Sequence, residues 1–184
     1  MDEQQVQTAG PQAEKMKKKE SWRSIIILAV LLVVVIVVTN FVIRPVMVNQ
    51  SSMSETFHDG DYVLLYQWAY TPSRGDVVVV DKGNPLGDRL FKRIIAVGGD
   101  HLEFVNGEVY INGEKTDEPY INDMRRETYT NLSLTIPENE VYVAGDNRAS
   151  SVDSRSFGPI SADLIMGKIV FRVFPFDGFG PVES

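Results

Sequence analysis

The hydrophobic pattern of the chain begins with one long apolar run, Ile25–Ile43, that contains no charged residue. As a helix rising about 1.5 Å per residue, this run would cover roughly 28 Å, close to the ~30 Å hydrocarbon core of a bilayer. We therefore predict a transmembrane anchor over residues 22–44. A pair of buried strands is disfavoured because the run lacks a turn signal and is polar at both ends.

A cleavable signal peptide is the stronger alternative to a retained anchor. The apolar run is longer than the usual hydrophobic region of a signal peptide, and no A-x-A-like site follows within Phe41–Gln50. Both features favour retention. The preceding residues 1–21 are polar without an apolar period, which predicts a disordered tail. Their basic stretch Lys15–Lys19 predicts that the N-terminus stays cytoplasmic and that the chain from Arg44 onward lies outside.

After the anchor, apolar residues occur in short segments bounded by turn residues, which predicts β-strands. Asn106-Gly107 is a strong hairpin signal between two of these segments. The polar stretch Glu114–Asn131 predicts a surface loop, and Ile160–Met166 allows one or two helical turns. Residues 45–184 are thus predicted to form one mostly β, extracytoplasmic domain. The predicted strands lie within Asp61–Tyr70, Asp76–Asp81, Arg89–Val97, Leu102–Val105, Glu108–Ile111, Leu132–Ile136, Val141–Ala144 and Gly167–Phe174.

Charge and cysteine content exclude several classes of function. The net charge is −7. The segment before Arg44 carries five basic and four acidic residues, and the remainder carries 13 basic and 21 acidic residues. An acidic body argues against a nucleic-acid partner. The chain has no cysteine, which excludes disulfides, a thiolate nucleophile and a thiolate zinc site.

Two hydroxyls, Ser51 and Ser52, stand beside Met53 just beyond the predicted edge of the membrane. A serine is a weak nucleophile unless a base removes its proton, so the function depends on which residue can serve as that base. The only two histidines are His58 and His101. Neither lies in a context that indicates a Ser-His-Asp triad or a metal site.

Lysine is the other candidate base. Lys92 lies within Arg89–Val97 with apolar residues on both sides, so it either extends to solvent from a sheet edge or is partly desolvated. A free lysine, with a pKa near 10.4, is neutral only about 0.04% of the time at pH 7. Burial that lowers the pKa to roughly 7–8 would make the amine a competent base.

The densest polar cluster is Gly145–Gly158, which reads G-D-N-R-A-S-S-V-D-S-R-S-F-G. One interpretation is a loop of Asx and Ser turns crossed by Arg–Asp pairs. The alternative is a rigid polar network held between two β segments.

Four motifs follow one another along the chain. Their order and approximate spacing resemble the successive sequence boxes of bacterial type I signal peptidases, the leader peptidase family, over residues 25–174. The chain length and single anchor are similar to the short Gram-positive form. The motifs are Ser52-Met53 after the anchor, Arg74-Gly75-Asp76-Val77-Val78, Phe91-Lys92-Arg93 with Gly99-Asp100, and Gly145-Asp146-Asn147-Arg148 with Ser151, Asp153-Ser154-Arg155 and Phe157-Gly158.

The resemblance implies an antiparallel-sheet catalytic domain that removes signal peptides from exported preproteins as a serine endopeptidase, without a metal or other cofactor. It implies Ser52 as nucleophile, Lys92 as general base and Ser151 as the group that orients the lysine amine. The backbone N–H of Ser52 is the implied oxyanion donor. A structural role around the active-site strand is implied for Arg93, Asp146, Arg148, Asp153 and Arg155.

Substrates of this family carry small side chains at the first and third positions before the cut, which shallow apolar pockets would explain. Val48, Met53 and Phe91 are our candidate wall residues. The expected partners are secretory preproteins emerging from the translocon, bound in extended form along a strand edge, and the lipid bilayer. Trp68, Tyr70 and the segment from Phe174 to Phe179 either dip into the membrane interface or are ordinary aromatic residues of core and surface.

Two positions depart from the family pattern. The family has proline between the methionine and the threonine, where this chain has Glu55, and the turn therefore lacks the stiffness of a proline. Some members supply a second oxyanion donor from a hydroxyl two residues before the nucleophile, where this chain has Gln50. The Gln50 amide and the neighbouring Ser51 hydroxyl are the candidate replacements.

Three alternative functions remain open at this point. They are a catalytically inactive paralogue that binds or chaperones partners, a repressor-type self-cleaving Ser–Lys protease, and an anchored β domain without enzymatic activity. The presence of both Ser52 and Lys92 argues against the first. A membrane anchor in place of a DNA-binding helix-turn-helix argues against the second.

Overall fold

A computed structural model describes residues 11–121 and 131–182. The chain divides into two compact units between Asn40 and Phe41. The first contains helix α1 (Pro11–Val37), which a π-helical turn extends over Val38–Val42. Trp22–Val42 is long and apolar enough to cross a membrane, with a mean hydropathy of 3.3 and no buried residue.

Helix α1 begins at Pro11, inside the stretch that the sequence predicts to be disordered. Proline suits the first turn of a helix, and residues 12–20 are mostly good helix formers, so nothing ends the helix before the apolar run. Residues 1–10 of the predicted tail lie outside the described residues. At the other end, helical structure stops at Val42, and Ile43 begins a strand within the predicted anchor range.

The second unit contains two antiparallel sheets. The strands are β1 (Ile43–Met47), β2 (Tyr62–Tyr66), β3 (Val77–Val80), β4 (Leu90–Val97), β5 (His101–Val105), β6 (Glu108–Ile111), β7 (Glu114–Thr116), β8 (Leu132–Thr135), β9 (Glu140–Ala144), β10 (Ile160–Ser161), β11 (Ile165–Phe174) and β12 (Gly180–Pro181). The larger sheet has the order β1-β2-β11-β3-β4-β9-β10, with β12 paired to β11, and the smaller has the order β7-β6-β5-β8. Short helix α2 (Ser154–Phe157) follows β9.

The prediction of a mostly β domain is confirmed, and the hairpin at Asn106-Gly107 joins β5 to β6 as expected. Strand β1 was not predicted because Arg44 and Pro45 interrupt its apolar pattern. The predicted loop 114–131 begins with β7, and its residues 122–130 lie outside the described part of the chain. The turn expected near residue 160 is a 3-10 turn over Ala162–Leu164.

Alternate residues of the larger sheet enter two separate cores, as the pleat of a strand requires. Val77 and Val79 pack with Met53 and Phe57, which follow β1 in sequence. Val78 and Val80 pack in a second core on the opposite face, together with residues of β4 and β9. The neighbouring strand β4 is almost entirely buried. A lysine in its middle therefore lies inside the protein.

Candidate active site

The predicted nucleophile, Ser52, lies on a tight turn over residues 51–57, between β1 and β2. This segment is called the nucleophile turn below. Met53 O accepts hydrogen bonds from Thr56 N at 2.8 Å and from Phe57 N at 2.6 Å. Met53 and Phe57 are fully buried, so core packing holds the turn in place. Ser52 is only 7% exposed, whereas Ser51 faces solvent. The two candidate serines therefore lie in different environments.

Lys92 stands opposite Val78 of β3 and is 2% exposed. Its Nζ and Ser52 Oγ are hydrogen-bonded at 2.8 Å. The Ser52 hydroxyl also lies within donating distance of Phe91 O, at 3.3 Å. The sequence allowed the Lys92 side chain either to extend to solvent from a sheet edge or to be desolvated, and in the structure it is desolvated. A buried amine thus contacts a buried hydroxyl.

Burial lowers the pKa of Lys92 from 10.5 to about 8, because the ammonium form loses its hydration. Among the nearby charges, the carboxylates of Asp153 and Asp146 raise this pKa, and the Arg155 guanidinium lowers it. A pKa near 8 leaves about 10% of the amine neutral at pH 7, against about 0.03% for an unperturbed lysine. The pKa of Lys92 therefore lies in the range that suits a general base at neutral pH.

Asp153 and Arg155 form an ion pair whose charges act on the lysine in opposite directions. Arg155 Nε and Nη2 each donate to the Asp153 carboxylate at 2.8 Å, and Gly145 N donates to it at 3.0 Å. Burial raises the pKa of Asp153, but the paired guanidinium outweighs it and holds that pKa below its usual value. The carboxylate therefore stays ionised and compensated by its partner.

Arg93 follows Lys92 in β4 and forms a second, fully buried ion pair. Its Nη2 donates to Asp146 Oδ2 at 2.8 Å and its Nε to Asp146 Oδ1 at 3.0 Å, and neither side chain is more than 2% exposed. Asp146 also accepts from Thr56 Oγ1 at 2.5 Å. The guanidinium carbon of Arg93 lies 3.8 Å from the centroid of the Tyr120 ring. The pair joins β4, the nucleophile turn and the Gly145–Gly158 segment.

A third buried ion pair connects the same segment to Glu118. Arg148 Nη2 donates to Glu118 Oε1 at 2.8 Å, and Arg148 Nε donates to Gly145 O at 2.8 Å. Glu118 lies in the stretch that the sequence predicted to be a surface loop, yet its side chain is buried. Of the two interpretations of Gly145–Gly158, the structure has the buried polar network.

Asn147 is a residue to which the sequence analysis gave no role. Its backbone N donates to Ser52 O at 3.0 Å, and its side-chain Nδ2 donates to Ser51 O at 3.1 Å and to Ser54 Oγ at 2.8 Å. Three hydrogen bonds thus connect one residue to the nucleophile turn. Its position inside the polar cluster was a signal, but only the fold shows that the cluster meets the turn.

Ser151 does not hold Lys92 as the family resemblance implies. Its Oγ is buried, and within the described residues it makes no hydrogen bond of standard geometry. It lies against Gly145, where an added Cβ would come within 2.4 Å of Ser151 Oγ and 2.4 Å of Ser52 O. The hydroxyl is therefore close to the nucleophile turn without a bond to the lysine amine.

Gln50 directs its amide at the backbone of the active-site strand. Its Nε2 donates to Arg89 O at 2.7 Å, and its Oε1 accepts from Phe91 N at 3.3 Å. The amide therefore lies along the edge of β4.

His101 is in the smaller sheet, with Nδ1 3.2 Å from Thr135 Oγ1.

A family model described as signal peptidase, peptidase S26, matches residues 20–174. This chain belongs to the peptidase S26 signal peptidase family. Signal peptidase IB of Staphylococcus aureus (strain COL) is 36% identical over 181 residues, covering 88% of this chain and 94% of that protein. Signal peptidase I of Bacillus licheniformis is 34% identical over 149 residues, covering 74% of this chain and 80% of that protein.

A solved structure of a signal peptidase I from Enterococcus faecalis V583 is 30% identical and has a TM-score of 0.48. The match covers 54% of this chain and 97% of the Enterococcus faecalis chain. The family membership identifies the chain as a peptidase of the class that removes signal peptides.

In this signal peptidase family member, Ser52 and Lys92 open onto a cleft of about 380 Å³. A second cavity, of about 520 Å³, adjoins the first and is lined in part by Phe91. Of the three predicted wall residues, Phe91 thus lines a cavity next to the Ser52 cleft. The other two predicted wall residues, Val48 and Met53, are fully buried and line neither cavity. Leu86, Leu90 and Val152 supply apolar walls of the first cavity.

Glu55, the residue in place of the family proline, is exposed at the turn. It lines a separate cavity that also contains Arg93 and Arg172. Glu55 is therefore not among the residues that line the Ser52 cleft.

The aromatic residues considered for membrane contact fall into two groups. Tyr70 is half-buried, and its hydroxyl donates to Asp76 Oδ2 at 2.6 Å, which makes it part of the domain. Burial raises the pKa of the Tyr70 phenol, so it stays protonated as a donor. The other members are exposed, namely Trp68, Phe174, Phe176 and Phe179.

Proposed function

We propose that this chain is a membrane-anchored serine endopeptidase that removes N-terminal signal peptides from exported preproteins with a Ser52–Lys92 dyad. The observation that carries the proposal is the 2.8 Å contact between Lys92 Nζ and Ser52 Oγ, both buried. A hydroxyl paired with a base of lowered pKa is an activated nucleophile.

The proposed reaction begins with neutral Lys92. Its Nζ takes the proton of Ser52 Oγ as Oγ bonds to the carbonyl carbon that ends the signal peptide. The C–N bond then breaks, the protonated Lys92 gives its proton to the departing amine, and an acyl-enzyme ester remains. Lys92 next takes a proton from water as the water oxygen bonds to the ester carbon. The bond from that carbon to Ser52 Oγ then breaks, and Lys92 returns the proton to Oγ, which frees the signal peptide and restores Ser52 and the neutral amine.

Charge on the attacked carbonyl oxygen needs a donor. We assign this role to the backbone N–H of Ser52, which makes no hydrogen bond within the described ranges. One such donor contributes roughly 2.7–4 kcal/mol in serine proteases. We assign no second donor to Gln50, because the hydrogen bonds of its amide with Arg89 O and Phe91 N hold that amide along the edge of β4.

Specificity for small residues at the first and third positions follows from the size of the cleft, and we propose cleavage after A-x-A-like sequences. Leu90, Val152 and Phe91 provide apolar surface, and Asp88 lies between the two cavities. A large side chain would meet these walls. The substrate is a secretory preprotein held in extended form at the strand edge.

The proposed location is the cell membrane, with a single span. The apolar helix Trp22–Val42 provides the anchor. The basic stretch Lys15–Lys19 places the N-terminus in the cytoplasm and the β domain outside, where preproteins emerge from the translocon. The exposed aromatic side chains of Trp68 and Phe176 suit contact with the lipid interface.

The test uses the full chain in detergent with a secretory preprotein that carries an A-x-A site. Mass spectrometry of the products should show a cut directly after that site. Ser52→Ala and Lys92→Ala should each abolish the cut, whereas the adjacent Ser51→Ala and the surface change Lys115→Ala should retain it. An inactive wild type, or cleavage by the Ser52 and Lys92 variants at the wild-type rate, would refute the proposal.

A further inference from the structure

One edge of β4 lies open beside the candidate active site. Ile94 N donates to Asp76 O, and Ile94 O accepts from Gly75 N, so Leu90, Lys92 and Ile94 direct their backbone N–H and C=O groups toward β3. Odd-numbered residues direct theirs to the other side, because peptide groups alternate along an antiparallel strand. On that side β9 pairs from Arg93 to Val97 and leaves Phe91 uncovered by any strand in the described chain.

Side chains occupy this open edge instead of a strand. Gln50 Oε1 accepts a hydrogen bond from Phe91 N at 3.3 Å, and Gln50 Nε2 donates one to Arg89 O at 2.7 Å. The Ser52 hydroxyl lies 3.3 Å from Phe91 O. A primary amide that binds one N–H and one C=O of the same strand edge uses the two groups that the backbone N–H and C=O of one residue in a neighbouring strand would use. Gln50 thus imitates one residue of a missing strand.

Gln50 also lies between the two cavities. The first, of about 380 Å³, contains Ser52 and Lys92, and the second, of about 520 Å³, contains Phe91 and Arg89. Asn49, Gln50 and Asp88 line both. The position where the Gln50 amide binds β4 is therefore the position where the two cavities would join into one groove along the strand.

We infer that the Gln50 side chain occupies the substrate-pairing edge of β4 in the free enzyme and is displaced by the backbone N–H and C=O of one residue of the bound signal peptide. This inference rests on the proposed function and assigns Gln50 a role in substrate affinity. Binding must break two hydrogen bonds before new ones form, so the free enzyme discriminates against segments that cannot supply both a donor and an acceptor.

The test measures binding and turnover separately. In a Ser52→Ala background, adding Gln50→Ala should tighten the Kd for a synthetic signal peptide about five- to tenfold, as expected for one competing hydrogen bond or more. With Ser52 present, Gln50→Ala should lower KM by a similar factor and leave kcat within about twofold. Gln67→Ala is the matched control, since Gln67 Nε2 donates to Met166 O away from both cavities, and it should leave KM unchanged.

Other outcomes overturn the inference. An unchanged or weaker Kd in the Gln50→Ala protein would mean that the amide does not compete with substrate. A kcat lowered about 10²–10³-fold would make Gln50 an oxyanion donor instead. If wild type cuts the preprotein and only the Gln50 effect is absent, the proposed function stands and this inference fails.

A second measurement does not depend on the stability of a Gln50 variant. In isotope-labelled full-length Ser52→Ala protein, the side-chain amide signals of Gln50 should shift when the synthetic signal peptide is added, while those of Gln67 stay fixed. Gln50 signals that remain unchanged at saturating peptide would contradict displacement.

Discussion

Asn147 bonds to the backbone of Ser52, whose side-chain hydroxyl contacts Lys92. Its backbone N lies 3.0 Å from Ser52 O, and its side-chain amide reaches Ser51 O at 3.1 Å and Ser54 Oγ at 2.8 Å. Asn147 is itself buried and adjoins Asp146, which pairs with Arg93 of β4. Polar contacts therefore connect the turn that carries Ser52 to the strand that carries Lys92.

Asn147→Ala should lower kcat roughly 10–100-fold, because loss of the side-chain amide lets the Ser52 turn move and small misplacements of a nucleophile have effects of this size. KM should change little. The apparent pKa of the rate profile should stay near 8, since Lys92 keeps its buried environment. Steady-state kinetics over a pH series measures all three quantities.

The matched control for Asn147 is Asn131→Ala, which removes an exposed asparagine that accepts from Asn106 N in the smaller sheet. It should leave kcat unchanged. Wild-type kcat in a folded Asn147→Ala protein would show that the turn keeps its shape without the side-chain amide.

Gly145→Ala should abolish most activity. A Cβ there would come within 2.4 Å of Ser52 O, a backbone atom, and within 2.4 Å of Ser151 Oγ. The turn that carries the nucleophile must shift to relieve the contact. Gly83→Ala makes the same chemical change beside Leu164 Cδ2 at 2.7 Å, the end of a flexible side chain, and should be tolerated. Equal cleavage rates for the two variants would contradict this account of Gly145.

Asp146→Ala should lower the free energy of unfolding by about 3–5 kcal/mol, because it leaves Arg93 charged and buried without its carboxylate. Urea unfolding of the detergent-solubilised chain measures the change. Lys115→Ala breaks a surface pair with Glu108 and should leave the urea midpoint unchanged. A loss below about 1 kcal/mol for Asp146→Ala would place this pair with solvent-screened surface pairs.

The sequence predicted the β architecture well because most strands are short apolar segments ended by clear turn residues, as at Asn106-Gly107. It missed β1, whose residues continue directly from the apolar helix and include Pro45. It also predicted disorder over residues 1–21, of which residues 11–21 are helical, since lysine-rich sequence is compatible with both disorder and helix.

For the candidate site, the residue types were predictable and their contacts were not. Lys92 between apolar neighbours already indicated two environments, and only the packing of β4 decides between them. Asn147 contacts the nucleophile turn across 95 positions of sequence, from Ser52 to Asn147, which no local pattern encodes. The family resemblance suggested that Ser151 orients Lys92 and that Gln50 is a second oxyanion donor. Within the described residues Ser151 Oγ makes no hydrogen bond of standard geometry, and Gln50 Nε2 donates to Arg89 O.

Lys92 should also make stability depend on pH. Its pKa is about 8 in the folded state against 10.5 unfolded, so between those values the unfolded chain binds more protons and stability rises with pH. The rise should approach about 3 kcal/mol from below pH 8 to above pH 10. Lys92→Met should remove it, and the difference between the two urea-unfolding series isolates the effect from other titrating groups. Parallel curves would contradict a buried, titrating lysine.

The central claim is that a neutral Lys92 activates Ser52, and the pH dependence of kcat/KM for preprotein cleavage tests it most directly. The ammonium form cannot accept the serine proton, so the rate should rise about tenfold per pH unit below the pKa and level off above it. With Lys92 at about 8, the account predicts a single ionisation near pH 8. A flat profile between about pH 6 and 9 would contradict it.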